Sequence, residues 1–81
     1  SIPTAEAYLK AGLKQKHTKL ILELKPSKLG KERTEEAAER VINLVKQLKA
    51  ENMVEYISFS YDALKKIKAL EPKAKVAYLN G

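Results

Sequence analysis

At 81 residues the chain holds at most one small domain. Such a length buries only about 60–65% of the surface that the unfolded chain exposes, so its core is thin. It has no Cys, which excludes disulfides and thiolate metal sites, and no apolar run approaches the ~20 residues of a membrane-spanning helix. The net charge of +6 favours anionic partners, but fourteen of the sixteen cations are Lys and only Arg33 and Arg40 are Arg. Arg is the usual base-reading side chain, so the charge reads as solvated Lys-rich helices, and no nucleic-acid partner is expected. The composition leaves the compartment open.

Pro3-Thr4 opens a first helix with Thr4 as its N-cap, and Tyr8, Leu9 and Leu13 form its apolar stripe. Gly12 weakens that helix, and Lys14 to Lys19 make a polar connection. The run Leu20-Ile21-Leu22-Glu23-Leu24-Lys25 reads as a buried strand that stops at Pro26. A loop follows through Lys31. Thr34 is expected to cap the longest helix, with Glu35 and Glu36 in its first turn, where the helix dipole favours them. Ala38, Val41, Ile42, Val45 and Leu48 recur on one face of that helix, and Asn52 closes it in the left-handed conformation.

Val54 to Phe59 reads as a second strand. Ser60 caps a third helix with the stripe Leu64, Ile67 and Leu70, and Pro72 ends it. Lys75 to Leu79 reads as a third strand. Strands joined through helices of this length run parallel. The expectation is an α/β fold with three parallel strands in the order 1-2-3 and no internal repeat. The chain leaves the third strand at Asn80-Gly81, with no helix to cover that strand, as a piece of a larger α/β barrel or sheet does.

The first strand carries the chemistry. Alternate residues of a strand point to opposite faces, so Leu20, Leu22 and Leu24 share one face and Ile21, Glu23 and Lys25 the other. Glu23 and Lys25 therefore sit together near the strand's C-terminal end, where parallel α/β folds bind ligands. Two charges buried there need a partner, a metal or a charged ligand. The plainer reading pairs them with each other or with water at an open sheet edge. Ser58 and Ser60 stand at the same end of the second strand, where Ser58 is a secondary candidate for phosphate, although a cap explains Ser60 equally well. Tyr56 and Tyr78 read as packing residues and Phe59 as core. Ile21, one of Tyr56 and Ile57, and Tyr78 are expected on the inward face. His17, at the opposite end of the first strand, reads as a surface histidine. The Lys28 to Arg33 loop is open to contact with an anionic substrate, although a charged loop of this kind is usually solvated.

Three segments together resemble the middle portion of a glycerophosphodiester phosphodiesterase. Ile2-Pro3-Thr4 with Glu6 and Leu9 is similar to that family's helix start. Ile21-Leu22-Glu23-Leu24-Lys25 is similar to its Glu-hydrophobic-Lys strand. Ser58-Phe59, followed by Leu64, Ile67, Pro72 and the strand Val76 to Leu79, is similar to its next stretch. The resemblance implies that residues 1–81 are a single partial domain, three strands of a TIM-type (β/α)8 barrel. The parent enzyme would hydrolyse glycerophosphodiesters to glycerol 3-phosphate and an alcohol with a divalent cation, Ca or Mg. Glu23 would then be a metal ligand and Lys25 a phosphate contact. The family's His-Arg-Gly start, its Pro-Glu-Asn-Thr stretch, its Glu-x-Asp pair and its second catalytic His have no counterpart here and would lie before Ser1. No catalytic residue is therefore expected in this chain. Alone it should be inactive, hold no metal tightly and assemble into homo-oligomers through its open edges. The other class in view is a non-catalytic basic α/β module that binds anionic ligands or assembles.

Overall fold

The computed structural model describes residues 2–13 and 19–80. Its elements alternate: helix α1 (Ile2–Leu13), strand β1 (Leu20–Glu23), helix α2 (Lys31–Gln47), a single 3-10 turn (Glu51–Met53), strand β2 (Val54–Ser58), helix α3 (Tyr61–Leu70) and strand β3 (Lys75–Tyr78). The three strands form one sheet in the order β1-β2-β3, parallel throughout, as the alternation predicts. Helix α1 already includes Ile2, so Thr4 lies inside it and is not its cap. His17 lies outside the described residues.

Strand β1 ends before Lys25, although the Leu24 N–H still reaches the Ile57 carbonyl at 2.9 Å. Pro26 has no N–H with which to extend the ladder. Helix α2 starts four residues earlier than the Thr34 reading places it. Gly30 is the residue preceding it, at φ 109°, a left-handed conformation that glycine reaches without a Cβ clash. Thr34 is buried in the first turn instead. Its Oγ1 donates to the Gly30 carbonyl (3.0 Å) and accepts from the Ser27 N–H (2.9 Å), which folds the loop back onto the helix start.

The far end of α2 closes at Lys49, not Asn52. Lys49 takes φ 54°, its N–H donates to the Lys46 carbonyl (3.1 Å), and the Ala50 N–H donates to the Val45 carbonyl (3.0 Å). This pair of bonds is the Schellman pattern. Asn52 falls in the 3-10 turn. Helix α3 is capped as expected: the Ser60 side chain accepts from the Ala63 N–H at 3.1 Å. The helix stops at Leu70, two residues before Pro72. Lys68 Nζ then donates to the Pro72 (2.8 Å) and Ala74 (3.0 Å) carbonyls and fixes the turn into β3.

One face of the sheet is covered. Leu20, Leu24, Val54, Tyr56 and Ser58 are buried on it against Leu9 of α1, Ile42 and Val45 of α2, and Leu64 and Ile67 of α3. The predicted stripes of α2 and α3 hold, with Val41, Leu48 and Leu70 only half-buried and Leu44 buried in addition. The other face is open. Parallel register partners point to the same side, which puts Ile21, Glu55 and Lys75 in one row and Glu23, Ile57 and Ala77 in the next. Of these, only Glu55 and Ile57 are even half-buried.

Three aromatic expectations change. Phe59 is 50% exposed and is not core, because it follows Ile57 by two residues and shares the parity of the uncovered face. Tyr78 pairs with Ser58 and so stands on the helix side, where its ring meets Tyr61 edge-on at 6.1 Å; Ile57, not Tyr56, is the inward residue. Tyr8 is half-exposed beside the fully buried Leu9.

Candidate functional site

Glu23 is the last residue of β1 and points to the open face. Lys25 follows two residues later with the same parity. Both side chains are exposed. Ile57 and Ala77 lie beside Glu23 in its row, so the carboxylate stands at the edge of a partly apolar floor. Among the described residues the ion pairs are Lys10–Glu6 (2.9 Å) and Arg33–Glu36 (3.6 Å), and neither involves Glu23 or Lys25. The two charges are thus left to water, the cheapest place for them while no ligand is bound.

Ser58 is at the same end of the sheet but on its covered side, fully buried. Its hydroxyl donates to the Leu24 carbonyl and accepts from the Ser60 N–H at 2.8 Å. One side chain thereby joins the end of β1, immediately before Lys25, to the connection between β2 and α3. The segment after Lys25 is held as tightly. The Leu29 N–H reaches Ser27 Oγ at 3.0 Å and the Gly30 N–H reaches the Ser27 carbonyl at 3.2 Å. Neither device was read from the sequence. Ser27 followed three residues later by glycine was the available signal, since serine side chains commonly close turns of this kind. In the loop itself Lys28, Lys31 and Arg33 are exposed, as expected of a solvated segment.

At the opposite end of the open face Lys19 lies beside Lys75. The neighbouring Lys75 ammonium, by close contact and then by its positive charge, holds the Lys19 pKa below its ordinary value, and Glu55 offsets this only in part. That end of the face is therefore positive.

A hard divalent cation takes six or more oxygen ligands. Among the described residues no three His, Cys, Asp or Glu side chains gather closely enough to hold a metal. Glu23 is a single carboxylate, and these residues alone do not make a metal site. No helix among them is long and apolar enough to cross a membrane.

No protein-family model matches the chain, and no curated protein matches it. A solved structure does. It is a glycerophosphodiester phosphodiesterase from Parabacteroides distasonis ATCC 8503, 43% identical to this chain and superposing with a TM-score of 0.88. The match covers 94% of this chain and 32% of the other, so the chain spans about a third of that protein's length. In sequence and in backbone, the chain is similar to one part of a glycerophosphodiester phosphodiesterase, the family that its Ile2-Pro3-Thr4, Glu23-Leu24-Lys25 and Ser58-Phe59 segments resemble.

Proposed function

We propose that this chain is a segment of a glycerophosphodiester phosphodiesterase barrel and supplies two groups to the active site of the whole enzyme. Glu23 provides one carboxylate ligand to a divalent cation, and Lys25 neutralises a phosphate oxygen of the substrate. The parent reaction is hydrolysis of a glycerophosphodiester to glycerol 3-phosphate and an alcohol. The observation that carries this reading is the pair itself. Two exposed charges, without ion-pair partners among the described residues, stand at the ligand end of an uncovered sheet face, within a segment 43% identical to such an enzyme.

The remaining metal ligands and the acid and base come from outside these residues, so the 81-residue chain alone has no turnover. A fixed ammonium at a phosphoryl oxygen acts by electrostatic stabilisation and needs no proton transfer of its own. Ser58 acts behind these groups: it holds the β1 terminus to β2 and so fixes where the backbone presents Lys25.

The test is a graft. Residues 2–80 replace the matching third of the Parabacteroides distasonis protein, and hydrolysis of glycerophosphocholine is followed. The chimera should turn over, and Glu23→Gln and Lys25→Ala should each lower kcat/KM by about 10²-fold or more in a chimera of unchanged thermal stability. Near-normal hydrolysis by both variants would remove the two residues from the site. Turnover by the isolated chain would overturn the reading of it as an incomplete piece.

A further inference from the structure

The open face of the sheet divides by chemistry at its ligand end. The Leu24 N–H donates to the Ile57 carbonyl (2.9 Å) and the Leu79 N–H to the Ser58 carbonyl (2.8 Å), so the ladder runs on past the last paired residues. Beyond the row of Glu23, Ile57 and Ala77 it sets Lys25, Phe59 and Leu79 side by side, with the same parity. The charges, Glu23 and Lys25, both stand on β1 and its extension. The rest of the two rows, on β2, β3 and their extensions, is Ile57, Phe59, Ala77 and Leu79, none of which has a polar side-chain atom.

Phe59 is the large side chain that this apolar strip leaves open. It is 50% exposed, whereas Ile57 and Leu79 are more covered. The backbone on both sides of it is held. The Ser58 hydroxyl joins the Leu24 carbonyl to the Ser60 N–H, and the Ser60 side chain accepts from the Ala63 N–H at the start of α3. An apolar ring is therefore anchored in the open, in the row of the Lys25 ammonium and at the end where parallel sheets bind ligands.

We infer, resting on the reading of Lys25 as the phosphate contact, that Phe59 is a specificity-determining residue of the same site: its ring, with Leu79 beside it, contacts the alcohol arm of the diester. With the phosphate at Lys25, one ester arm extends over β2 and β3. The glycerol arm carries free hydroxyls, and the strip offers them no side-chain partner, so placing it there would cost their hydration. The other arm fits where its carbons bear no hydroxyl: an alkyl chain, or the methyl groups of a quaternary ammonium, which a ring face attracts. The site then favours alkyl and choline diesters over those of polyols.

The test uses the chimera that carries residues 2–80, with three diesters that share glycerol 3-phosphate: its butyl, choline and glycerol esters. Its kcat/KM should favour the butyl and choline diesters on the order of tenfold, the scale of a few methylenes withdrawn from water. Phe59→Ala should lower those two, mainly through KM, until all three lie within about twofold of one another. Phe59→Leu stays apolar, and should keep the butyl preference and lose part of the choline one. Metal-free binding, followed by calorimetry, should show the same order, so an inactive chimera is decided by it. An unchanged ratio in Phe59→Ala, an equal fall for all three diesters, a preference for the glycerol diester, or no binding and no turnover of any would each overturn the assignment. Lys25→Ala separates the two readings. Its loss of all three diesters alongside an unchanged Phe59→Ala ratio removes Phe59 alone, and near-normal hydrolysis by Lys25→Ala removes both.

Discussion

The Ser58 hydroxyl donates its hydrogen bond to the backbone carbonyl of Leu24, thirty-four residues earlier in the chain. The bond crosses from one parallel strand end to the next inside the core. The same oxygen accepts from the Ser60 N–H. Ser58→Ala should leave the buried carbonyl and the part-buried N–H without their shared partner. A loss of about 1–3 kcal/mol is expected, read as a lower denaturation midpoint with an unchanged slope. Ser58→Ala at full stability would show that water replaces both bonds.

Glu23 and Lys25 should behave in the opposite way. Both are exposed and in no ion pair among the described residues, so nothing in the fold relies on their charge. Glu23→Gln and Lys25→Ala should each change stability by less than about 0.5 kcal/mol in urea unfolding. A buried pair broken by one substitution would instead cost about 3–5 kcal/mol. A large loss in either variant would mean that the residue holds the fold together, and its loss of function would then say nothing about a site.

Tyr56 sets a limit at high pH. Its folded pKa is raised from 10.0 to about 12 by burial, Glu71 and Glu51. The unfolded chain therefore releases the phenol proton first. The stability from the neutral phenol is whole below pH 10 and is lost as pH rises toward about 12. With the phenol partly screened by solvent, the loss should be on the order of 1–2 kcal/mol. Lysines titrate over the same range, so the measurement is the difference between the parent chain and Tyr56→Phe. The variant should lose less stability between these limits, and parallel curves would refute the assignment.

The isolated chain should not remain a monomer. Strands β1 and β3 are both edges, and unpaired edges recruit other strands. The open face also leaves Ile21 and Phe59 about half-exposed. Sedimentation across micromolar concentrations should give masses above the 9.1 kDa of one chain, rising with concentration. A single 9.1 kDa species that unfolds cooperatively would show that the open face is tolerated.

What the sequence disclosed follows the periodicities. The alternation of helices and strands, the parallel order, the Ser60 cap and the stop before Pro72 rest on short-range rules, and the structure repeats them. Thr34 misled because Thr followed by two Glu looks like a helix start, whereas Gly30 and Ser27 had already turned the chain. Phe59 misled because an apolar ring suggests a core, while strand parity puts it on a face that this chain does not cover. The parity of Glu23 and Lys25 was readable from the strand alone. That Ser58 meets the Leu24 carbonyl, and that Tyr56 lines a hollow between the end of α2 and the turn before β3, depend on packing across elements, which no local pattern encodes.

The strand order has a consequence for how the chain assembles. Each strand lies beside the one made just before it, so no strand has to wait for a partner translated much later. The loop closed at each step is one helix and its turns, and the entropy of closing a loop grows only with the logarithm of its length. Two successive closures, over residues 24–53 and then over the shorter 59–74, build the whole sheet. The unit can thus form progressively as it emerges from the ribosome, each strand templated on a finished neighbour.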